Sequence, residues 1–240
     1  MAEIFVGTSG WAYPSWKPDF YPQKLAQRNF LQHYCTQLNT VEVNFSFRQL
    51  VKETTIQKWI AESPEKFRFT VKAHQVLTHV KRLKGTEEFL PRFLQTVQPL
   101  AQVGKMGPVL FQLPPNMKMD SEVLGGFLEI LPRGVPAAFE FRHDSWFNDQ
   151  VFDLLKKHKR ALCVAETEER TTPDVTTADF AYYRYRKPTY TPQERQAMIA
   201  RMQQLLGEGK DVFAYFKHEE TPQGALYACE VLKQVMEASG

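Results

Sequence analysis

Charged and polar side chains occupy alternate positions of three predicted strands, between residues that are apolar. In chain order they are Glu42 and Asn44, then Lys72 and His74, then Glu140 and Arg142. Successive side chains of a strand point to opposite faces, so the polar residues of each strand share one face. Burying a charge is costly unless it is paired and hydrogen-bonded. We therefore predict that these residues converge on one site, either as a paired internal network or as a binding site for a ligand.

The ends of the other predicted strands add polar residues whose types fit an anion better than a metal. They are Gln112, Arg184, and Lys217 or His218. Lysine and arginine are not metal ligands, whereas arginine holds a phosphate or carboxylate group through two parallel hydrogen bonds. We predict no metal, no cofactor and a small anionic ligand that carries phosphate or carboxylate and can be sugar-like. The predicted ligand-binding residues are Trp11, Tyr13, Asn44, Lys72, His74, Gln112, Arg142, Arg184 and Lys217.

Three titratable residues are the candidates for general acid or base catalysis: Glu42, Glu140 and His143. The pKa of a carboxyl group can be tuned by burial and by neighbouring charges, and an unperturbed histidine titrates near pH ~6.5. His143 lies two residues after the end of the fifth predicted strand. The alternative for this segment is structural: His143 or Asp144 caps the next helix, and Asp144 is the better candidate for a cap.

The loop after the first predicted strand, TSGWAYPSWKPDFYP, is rich in aromatic residues and proline. Prolines stiffen a loop, and aromatic rings offer a stacking surface. Trp11 and Tyr13 are therefore predicted to wall the ligand pocket. The alternative is that the aromatic residues of this loop form a satellite core that closes one end of the fold.

Eight extended segments recur along the chain, and helical patterns separate most of them. The segments are Glu3–Gly7, Thr40–Phe47, Phe67–Ala73, Pro108–Leu113, Pro136–Phe141, Arg160–Ala165, Phe180–Tyr185 and Asp211–Phe216. Apolar residues with helical spacing mark the helices, and the last such stripe includes Cys229, Leu232 and Met236. The segment Glu166–Asp179 has no apolar stripe, so we expect an irregular connection there.

Alternation of strands and helices predicts a parallel sheet with helices outside it. Eight strands in this length fit a (β/α)8 TIM barrel, for which about 250 residues are typical. We predict one such α/β domain over residues 1–240. An open doubly wound sheet is the alternative, but Gly7-Thr8-Ser9-Gly10 lacks the glycine spacing of a dinucleotide-binding loop. In a barrel, the apolar face of each strand meets the helices and the polar face points into the lumen, towards the C-terminal mouth.

Composition narrows the class of protein. The 240 residues are 43% hydrophobic and 24% charged, and a net charge of +3 leaves nucleic-acid binding open without indicating it. The three cysteines form no CxxC pair, so we predict buried thiols. No segment reaches the ~18 apolar residues of a membrane span. The N-terminus lacks a signal-peptide pattern, so we expect a cytoplasmic protein with no membrane contact, in an oligomeric state that the sequence leaves open.

Several motifs, in order along the chain, resemble the family of domains of unknown function 72, also called YecE-like. They are Gly7-Thr8-Ser9-Gly10-Trp11, Tyr13-Pro14, Phe20-Tyr21-Pro22, Thr40-Val41-Glu42-Val43-Asn44, Gly107 to Pro115, Glu140 to Trp146, Tyr182–Arg184 and Tyr215–His218. The resemblance implies a TIM barrel related to the xylose isomerase and endonuclease IV group, and it implies no activity. Many family members end the eighth strand with an Asn-Asn-Thr type sequence, whereas this chain has Phe216-Lys217-His218-Glu219-Glu220.

Three functions follow as hypotheses. The leading one is a protein that binds a small anion at the C-terminal face of the barrel and, if it is an enzyme, uses a carboxylate as general acid or base. The second, by analogy of fold, is a metal-dependent phosphodiesterase or nuclease, which requires several of Glu42, His74, Glu140, His143 and Glu166 to converge on one ion. The third is a binding or regulatory protein without catalysis.

Overall fold

The computed structural model describes residues 2–217 and 220–238. Within these residues eight strands form a closed barrel, in which each strand pairs in parallel with the next and the last pairs with the first. The strands are β1 (Ile4–Ser9), β2 (Thr40–Val43), β3 (Arg68–Lys72), β4 (Met106–Gln112), β5 (Ala137–Glu140), β6 (Ala161–Glu166), β7 (Phe180–Tyr185) and β8 (Asp211–Phe216). The predicted (β/α)8 barrel is confirmed.

Seven α-helices surround the barrel in the part of the chain that the structure describes. They are α1 (Phe30–Gln37), α2 (Glu53–Glu62), α3 (Phe89–Gln102), α4 (Ser121–Ile130), α5 (Asp149–Lys157), α6 (Pro192–Gly207) and α7 (Gln223–Glu237). None of the described helices combines the length and the apolar character needed to cross a membrane. Local signals fix several starts: Asn148 accepts a hydrogen bond from the Val151 amide at the start of α5, and Thr191 forms a capping box with Glu194 at the start of α6.

The connections between strands match the sequence prediction at one place and differ from it at two. The irregular connection between β6 and β7 is confirmed. The sequence pattern missed α2, whose buried Ile56 and Trp59 are three residues apart on one face. Met236, which the pattern placed on the apolar stripe of α7, is 57% exposed.

The second strand is shorter than predicted. The backbone turns into a helical conformation at Asn44, and Phe45–Phe47 form a single 3-10 turn instead of continuing the strand. Phe45, predicted to pack against the helices, is 52% exposed as a consequence. The change matters for function because the turn places Asn44 and Phe47 at the C-terminal mouth of the barrel.

Two layers of packed side chains follow from the alternation of each strand. The outer core, between the barrel and the helices, contains Val41, Val43, Phe69, Val71, Phe139 and Phe141, among others. A separate cluster fills the lumen and contains Phe5, Leu110, Ala138, Cys163, Tyr182, Phe213 and Tyr215, among others. The predicted orientation, apolar face towards the helices and polar face towards the lumen, is therefore confirmed for these strands. The three cysteines are free thiols, of which Cys163 is fully buried.

Close approach of β1 to β2 requires a glycine. A Cβ atom on Gly7 would lie 1.9 Å from the Thr40 carbonyl oxygen. Higher in the lumen, the Tyr215 hydroxyl is hydrogen-bonded to the hydroxyls of Thr40 and Thr70, at 2.9 and 2.6 Å. These tyrosine and threonine side chains form the floor below the charged residues described next.

Candidate functional site

A buried arginine joins two carboxylates at the top of the lumen. Arg184 Nη2 donates to Glu42 Oε1 at 2.7 Å, and Arg184 Nη1 donates to Glu140 Oε2. Glu42, Glu140 and Arg184 are 0, 1 and 2% exposed. We call these three residues the Arg184 cluster. They come from β2, β5 and β7, so the barrel brings together charges that are far apart in the sequence.

Neutral and charged donors satisfy the remaining oxygens of both carboxylates. Glu42 accepts from Ser9 Oγ at 2.8 Å and from Tyr182 Oη at 2.7 Å. Glu140 accepts from Gln112 Nε2 at 2.8 and 2.9 Å and from Arg142 Nε at 3.0 Å. Arg142 follows Glu140 by two residues, and the two form an ion pair. This pairing is a purely structural role for Arg142.

The pKa values of the two carboxyl groups follow from this arrangement. Burial alone would raise the pKa of Glu42, but the charge of Arg184 and the hydrogen bonds outweigh it and hold the pKa below its usual range. Burial is likewise outweighed at Glu140 by Arg184 and Arg142, so its pKa lies well below the usual range. A general base needs a pKa near the working pH and an accessible oxygen. Their low pKa values and their burial argue against general acid or base catalysis by Glu42 or Glu140, and a catalytic role for either residue stays a prediction.

A relay connects the cluster to a lysine at the mouth of the barrel. Gln112 Nε2 donates to both carboxylate oxygens of Glu140, which leaves the Gln112 carbonyl oxygen available as an acceptor for Lys72. Lys72 Nζ donates to this oxygen at 2.9 Å and lies 4.2 Å from the centre of the Phe47 ring. Burial and the charge of Arg184 lower the pKa of Lys72 to about 8.

A cavity of about 410 Å³ opens at the C-terminal mouth, above the Arg184 cluster. We call it the mouth cavity. Five of its lining residues are cations, namely Arg48, Lys72, Arg184, Arg186 and Lys217, and none of the described lining residues is an aspartate or glutamate. The volume lies within the range of about 300–1,000 Å³ that is usual for small-molecule sites.

Three buried polar atoms of the residues that line the mouth cavity lack partners among the described residues: Arg184 Nε, Arg186 Nη1 and Asn44 Oδ1. Burial and the neighbouring charge of Arg184 lower the pKa of Arg186. Buried polar groups are normally hydrogen-bonded, so these unpartnered atoms have capacity for a ligand.

The sequence-predicted residues divide between the mouth cavity and other places. Asn44, Lys72, Arg184 and Lys217 line the cavity. Gln112, Glu42, Glu140 and Arg142 belong to the network beneath or beside it. His218 lies outside the described residues. The structure thus brings together most of the polar residues that strand alternation selected.

Two predicted histidines have structural contacts. His143 Nδ1 accepts a hydrogen bond from the Ser145 amide at 3.2 Å and so caps the 3-10 turn Asp144–Trp146, a role for which Asp144 was the favoured candidate. His74 Nδ1 accepts from the Val76 amide, also at 3.2 Å, and burial lowers the pKa of His74. Neither histidine lies among the residues that line the described mouth cavity.

The aromatic loop after β1 packs mainly as a core. Trp16 and Tyr21 are fully buried. Trp11 stacks edge-on against Trp59 of α2 at 5.6 Å, and the Tyr13 hydroxyl donates to the Ser9 carbonyl at 2.9 Å. Neither Trp11 nor Tyr13 lines the described mouth cavity, so this placement supports the satellite core instead of the pocket wall.

The resemblance to metal-dependent barrels raises the question of whether these residues fit a metal. Arg184 occupies the space between Glu42 and Glu140, and Glu166 is paired with Lys187. Over residues 2–217 and 220–238, no three His, Cys, Asp or Glu side chains are grouped closely enough to hold an ion. The convergence that the nuclease hypothesis requires is absent from this set, and the donors do not fit a metal.

Sequence reasoning missed several residues of the site, among them Arg186, Ser9, Tyr182 and Phe47. Arg186 follows Arg184 by two positions and continues the lumen-facing phase of β7 beyond the end of the strand, which is the signal that could have found it. Ser9 and Tyr182 show the same phase on β1 and β7 and satisfy Glu42. Phe47 gave no such signal, because its position depends on the turn that ends β2.

Comparisons with known sequences give a consistent family. A family model described as "Protein of unknown function DUF72" matches residues 5–240. The UPF0759 protein YunF of Bacillus subtilis is 31% identical over 156 residues, which cover 62% of this chain and 54% of YunF. The UPF0759 protein YecE of Escherichia coli K12 is 27% identical over 145 residues, which cover 60% and 50%. The chain thus aligns with about half the length of these curated relatives.

Comparisons with solved structures agree on the fold. The crystal structure of a DUF72 family protein from Thermotoga maritima superposes with a TM-score of 0.88 at 25% identity, over 98% of this chain and 99% of that one. An AP endonuclease of family 2 from Brucella melitensis superposes with a TM-score of 0.54 at 8% identity, over 91% and 93%. The second likeness shows a shared barrel fold alone.

Proposed function

The chain belongs to the DUF72 family, and from that premise we propose that it binds a small molecule carrying a phosphate or carboxylate group in the mouth cavity. The family description assigns no activity, so the site itself supplies the argument. The observation that carries the proposal is the surplus of positive charge in a partly enclosed cavity.

The charge balance around the cavity supports an anion. Glu42 and Glu140 offset the charge of Arg184 and share that of Arg142. Lys72 and the buried Nη1 of Arg186 face the same cavity without a carboxylate among its described lining residues. Holding several cations together away from water is costly unless an opposite charge compensates them. A bound phosphate or carboxylate supplies that charge and hydrogen-bond acceptors together.

The side-chain amide of Asn44 indicates which class of anion fits the cavity. Its buried Oδ1 accepts no hydrogen bond from a described residue. A hydroxyl group on the ligand would donate to it, so an anion that also carries hydroxyl groups, such as a sugar acid or sugar phosphate, fits the cavity better than a bare ion. The Arg184 cluster, in which the charges are paired, forms a rigid floor beneath this ligand.

Calorimetric titration with inorganic phosphate tests the proposal. A charge-assisted hydrogen bond contributes about 1.5–3 kcal/mol, so Arg186→Met should weaken binding by about tenfold to a hundredfold. Arg201→Met is the matched control, because Arg201 pairs with Asp174 outside the mouth cavity. Equal affinity in wild type and Arg186→Met, or no binding by wild type of phosphate or a small carboxylate, would contradict the proposal.

The sequence also predicts Arg142 as a ligand residue, and the same titration decides its role. Arg142 is bonded to Glu140 and is about one-third exposed. If Arg142 also binds the anion, Arg142→Ala weakens phosphate binding to a similar degree. If Arg142 acts only as the partner of Glu140, the folded variant retains the wild-type affinity.

A further inference from the structure

We propose that the amine of Lys72 is a nucleophile that condenses with the carbonyl group of an anionic aldehyde, ketone or keto acid bound in the mouth cavity. This inference rests on the proposed function, because the anion site holds the substrate. It goes beyond that function by assigning a covalent reaction and a substrate class to the same cavity. Three observations carry it: the orientation of the amine, its low pKa, and its position among cations.

Contacts on two sides hold the amine at the end of β3. The Gln112 amide is fixed by two hydrogen bonds to Glu140 and presents its carbonyl oxygen to Lys72 Nζ at 2.9 Å. The ring of Phe47 lies 4.2 Å from Nζ on another side. A neutral amine can keep its hydrogen bond to Gln112 and direct its lone pair into the cavity. These two contacts therefore fix the orientation of the Lys72 amine as well as its location.

The surroundings also favour the reactive, neutral form of this amine. Burial and the charge of Arg184 lower the pKa of Lys72 to about 8. At pH 7 about one-tenth of such an amine is neutral, a few hundredfold more than for an ordinary lysine with a pKa near 10.4. Desolvation and adjacent cations are the known means by which a lysine becomes a nucleophile.

Other cations of the mouth cavity orient the substrate. Arg186 and Lys217 line the same cavity as Lys72. A carboxylate or phosphate bound there keeps a carbonyl group on the same small molecule near the amine. Holding two reacting groups together in this way converts an encounter into an intramolecular step.

The proposed step balances without any co-reactant. The lone pair of neutral Lys72 Nζ forms a bond to the carbonyl carbon, and the carbonyl oxygen takes up a proton from the nitrogen. Loss of that hydroxyl together with the second amine proton releases one water and leaves an imine. Addition of water reverses the sequence. A protonated imine withdraws electrons from the neighbouring carbon, so the chemistry made available is bond cleavage or formation next to the carbonyl group.

Reductive trapping tests the inference. The protein is incubated with pyruvate or glycolaldehyde phosphate and sodium cyanoborohydride, and adducts are located by intact mass and peptide mapping. We expect one adduct per chain, on Lys72, which excess inorganic phosphate suppresses. Acetone, which has the carbonyl but no anion, and lactate, which has the anion but no ketone, should give none.

Two lysines provide controls. Lys72→Arg keeps a cation in the cavity but cannot form an imine, so it should lose the adduct. Lys105 also has a lowered pKa through burial, but its amine donates to Ser63 and to the Ile60 carbonyl. In wild type Lys105 should remain unlabelled. Because the adduct is mapped in wild-type protein, the test does not depend on the folding of the variant.

The outcomes separate this inference from the proposed function. Phosphate binding without an adduct would contradict the assignment of Lys72 as a nucleophile but would still support the anion site. Adducts spread over many lysines, or an adduct on Lys72 that phosphate does not suppress, also overturn it. Failure of both phosphate binding and trapping overturns both. The trapping rate should rise from pH 7 and level off above pH ~8, whereas an ordinary lysine continues to gain reactivity towards pH ~10.

Discussion

Replacing Arg184 by methionine removes the shared partner of two buried carboxylates. Glu42 then retains only the neutral donors Ser9 and Tyr182, while Glu140 keeps Gln112 and Arg142. Removing one member of a buried ion pair costs about 3–5 kcal/mol because an uncompensated charge remains. We expect Arg184→Met to lower the free energy of unfolding at pH 7 by an amount in this range.

The shifted pKa values determine how the stability difference between wild type and Arg184→Met changes with pH. In the wild type the pKa values of Glu42 and Glu140 are lowered. Their contribution is therefore fully present above the unfolded-state pKa, about 4.3, and is lost as the pH falls below it. In Arg184→Met burial dominates and raises the pKa of Glu42. The difference in stability between wild type and variant should therefore shrink as the pH falls from 8 to 5.

Urea denaturation of both proteins between pH 5 and 8 measures this difference. Arg201→Met is the control, because the partly exposed pair of Arg201 with Asp174 should contribute at most about 1 kcal/mol. Adding Glu42→Gln and Glu140→Gln to Arg184→Met should recover most of the loss, since no buried charge then lacks a partner. A loss below about 1 kcal/mol, or a loss that does not change with pH, would refute the reasoning.

Further measurements test the barrel, one helix start and the mouth cavity. Gly7→Ala should lower the free energy of unfolding by at least about 2 kcal/mol, because its Cβ would overlap the Thr40 carbonyl; an unchanged urea midpoint would contradict the close approach of β1 and β2. Thr191→Ala should cost about 1 kcal/mol through loss of the capping box, measured in the same way. Sulfate affinity, measured by calorimetry, should fall as the pH rises through 8, because Lys72 loses its charge; a flat profile would contradict a contact between sulfate and this lysine. Phosphate affinity should not change with a chelator, and elemental analysis should find no stoichiometric zinc, iron or manganese; one tightly held equivalent would favour the nuclease hypothesis.

The barrel could be predicted because its periodic signals are local. Alternation along β2, β3 and β5 placed Glu42, Lys72 and Glu140 on the lumen side, as the structure has them. The alternation of side chains between two faces is a property of each strand and does not depend on which strands lie beside it. The same reasoning would have found Arg186 if the lumen-facing phase of β7 had been followed past the end of the strand.

The pairing of the charges could not be predicted from the sequence. Arg184 lies 142 residues from Glu42 and 44 residues from Glu140, so their contacts exist only once the barrel closes. The sequence shows carboxylates and cations at the strand ends but does not show which carboxylates are already satisfied. The same limit explains His143 and Trp11, whose contacts depend on the paths of loops that carry no periodic signal.

The central claim is that the mouth cavity holds an anion, and a crystal structure with bound selenate tests it most directly. Selenium gives an anomalous signal that identifies the position of the anion without interpretation of shape. The account predicts a peak in the mouth cavity, with selenate oxygens about 3 Å from Arg186 Nη1 and Lys72 Nζ. A fully occupied peak elsewhere, with the mouth cavity containing only water at saturating selenate, would contradict it.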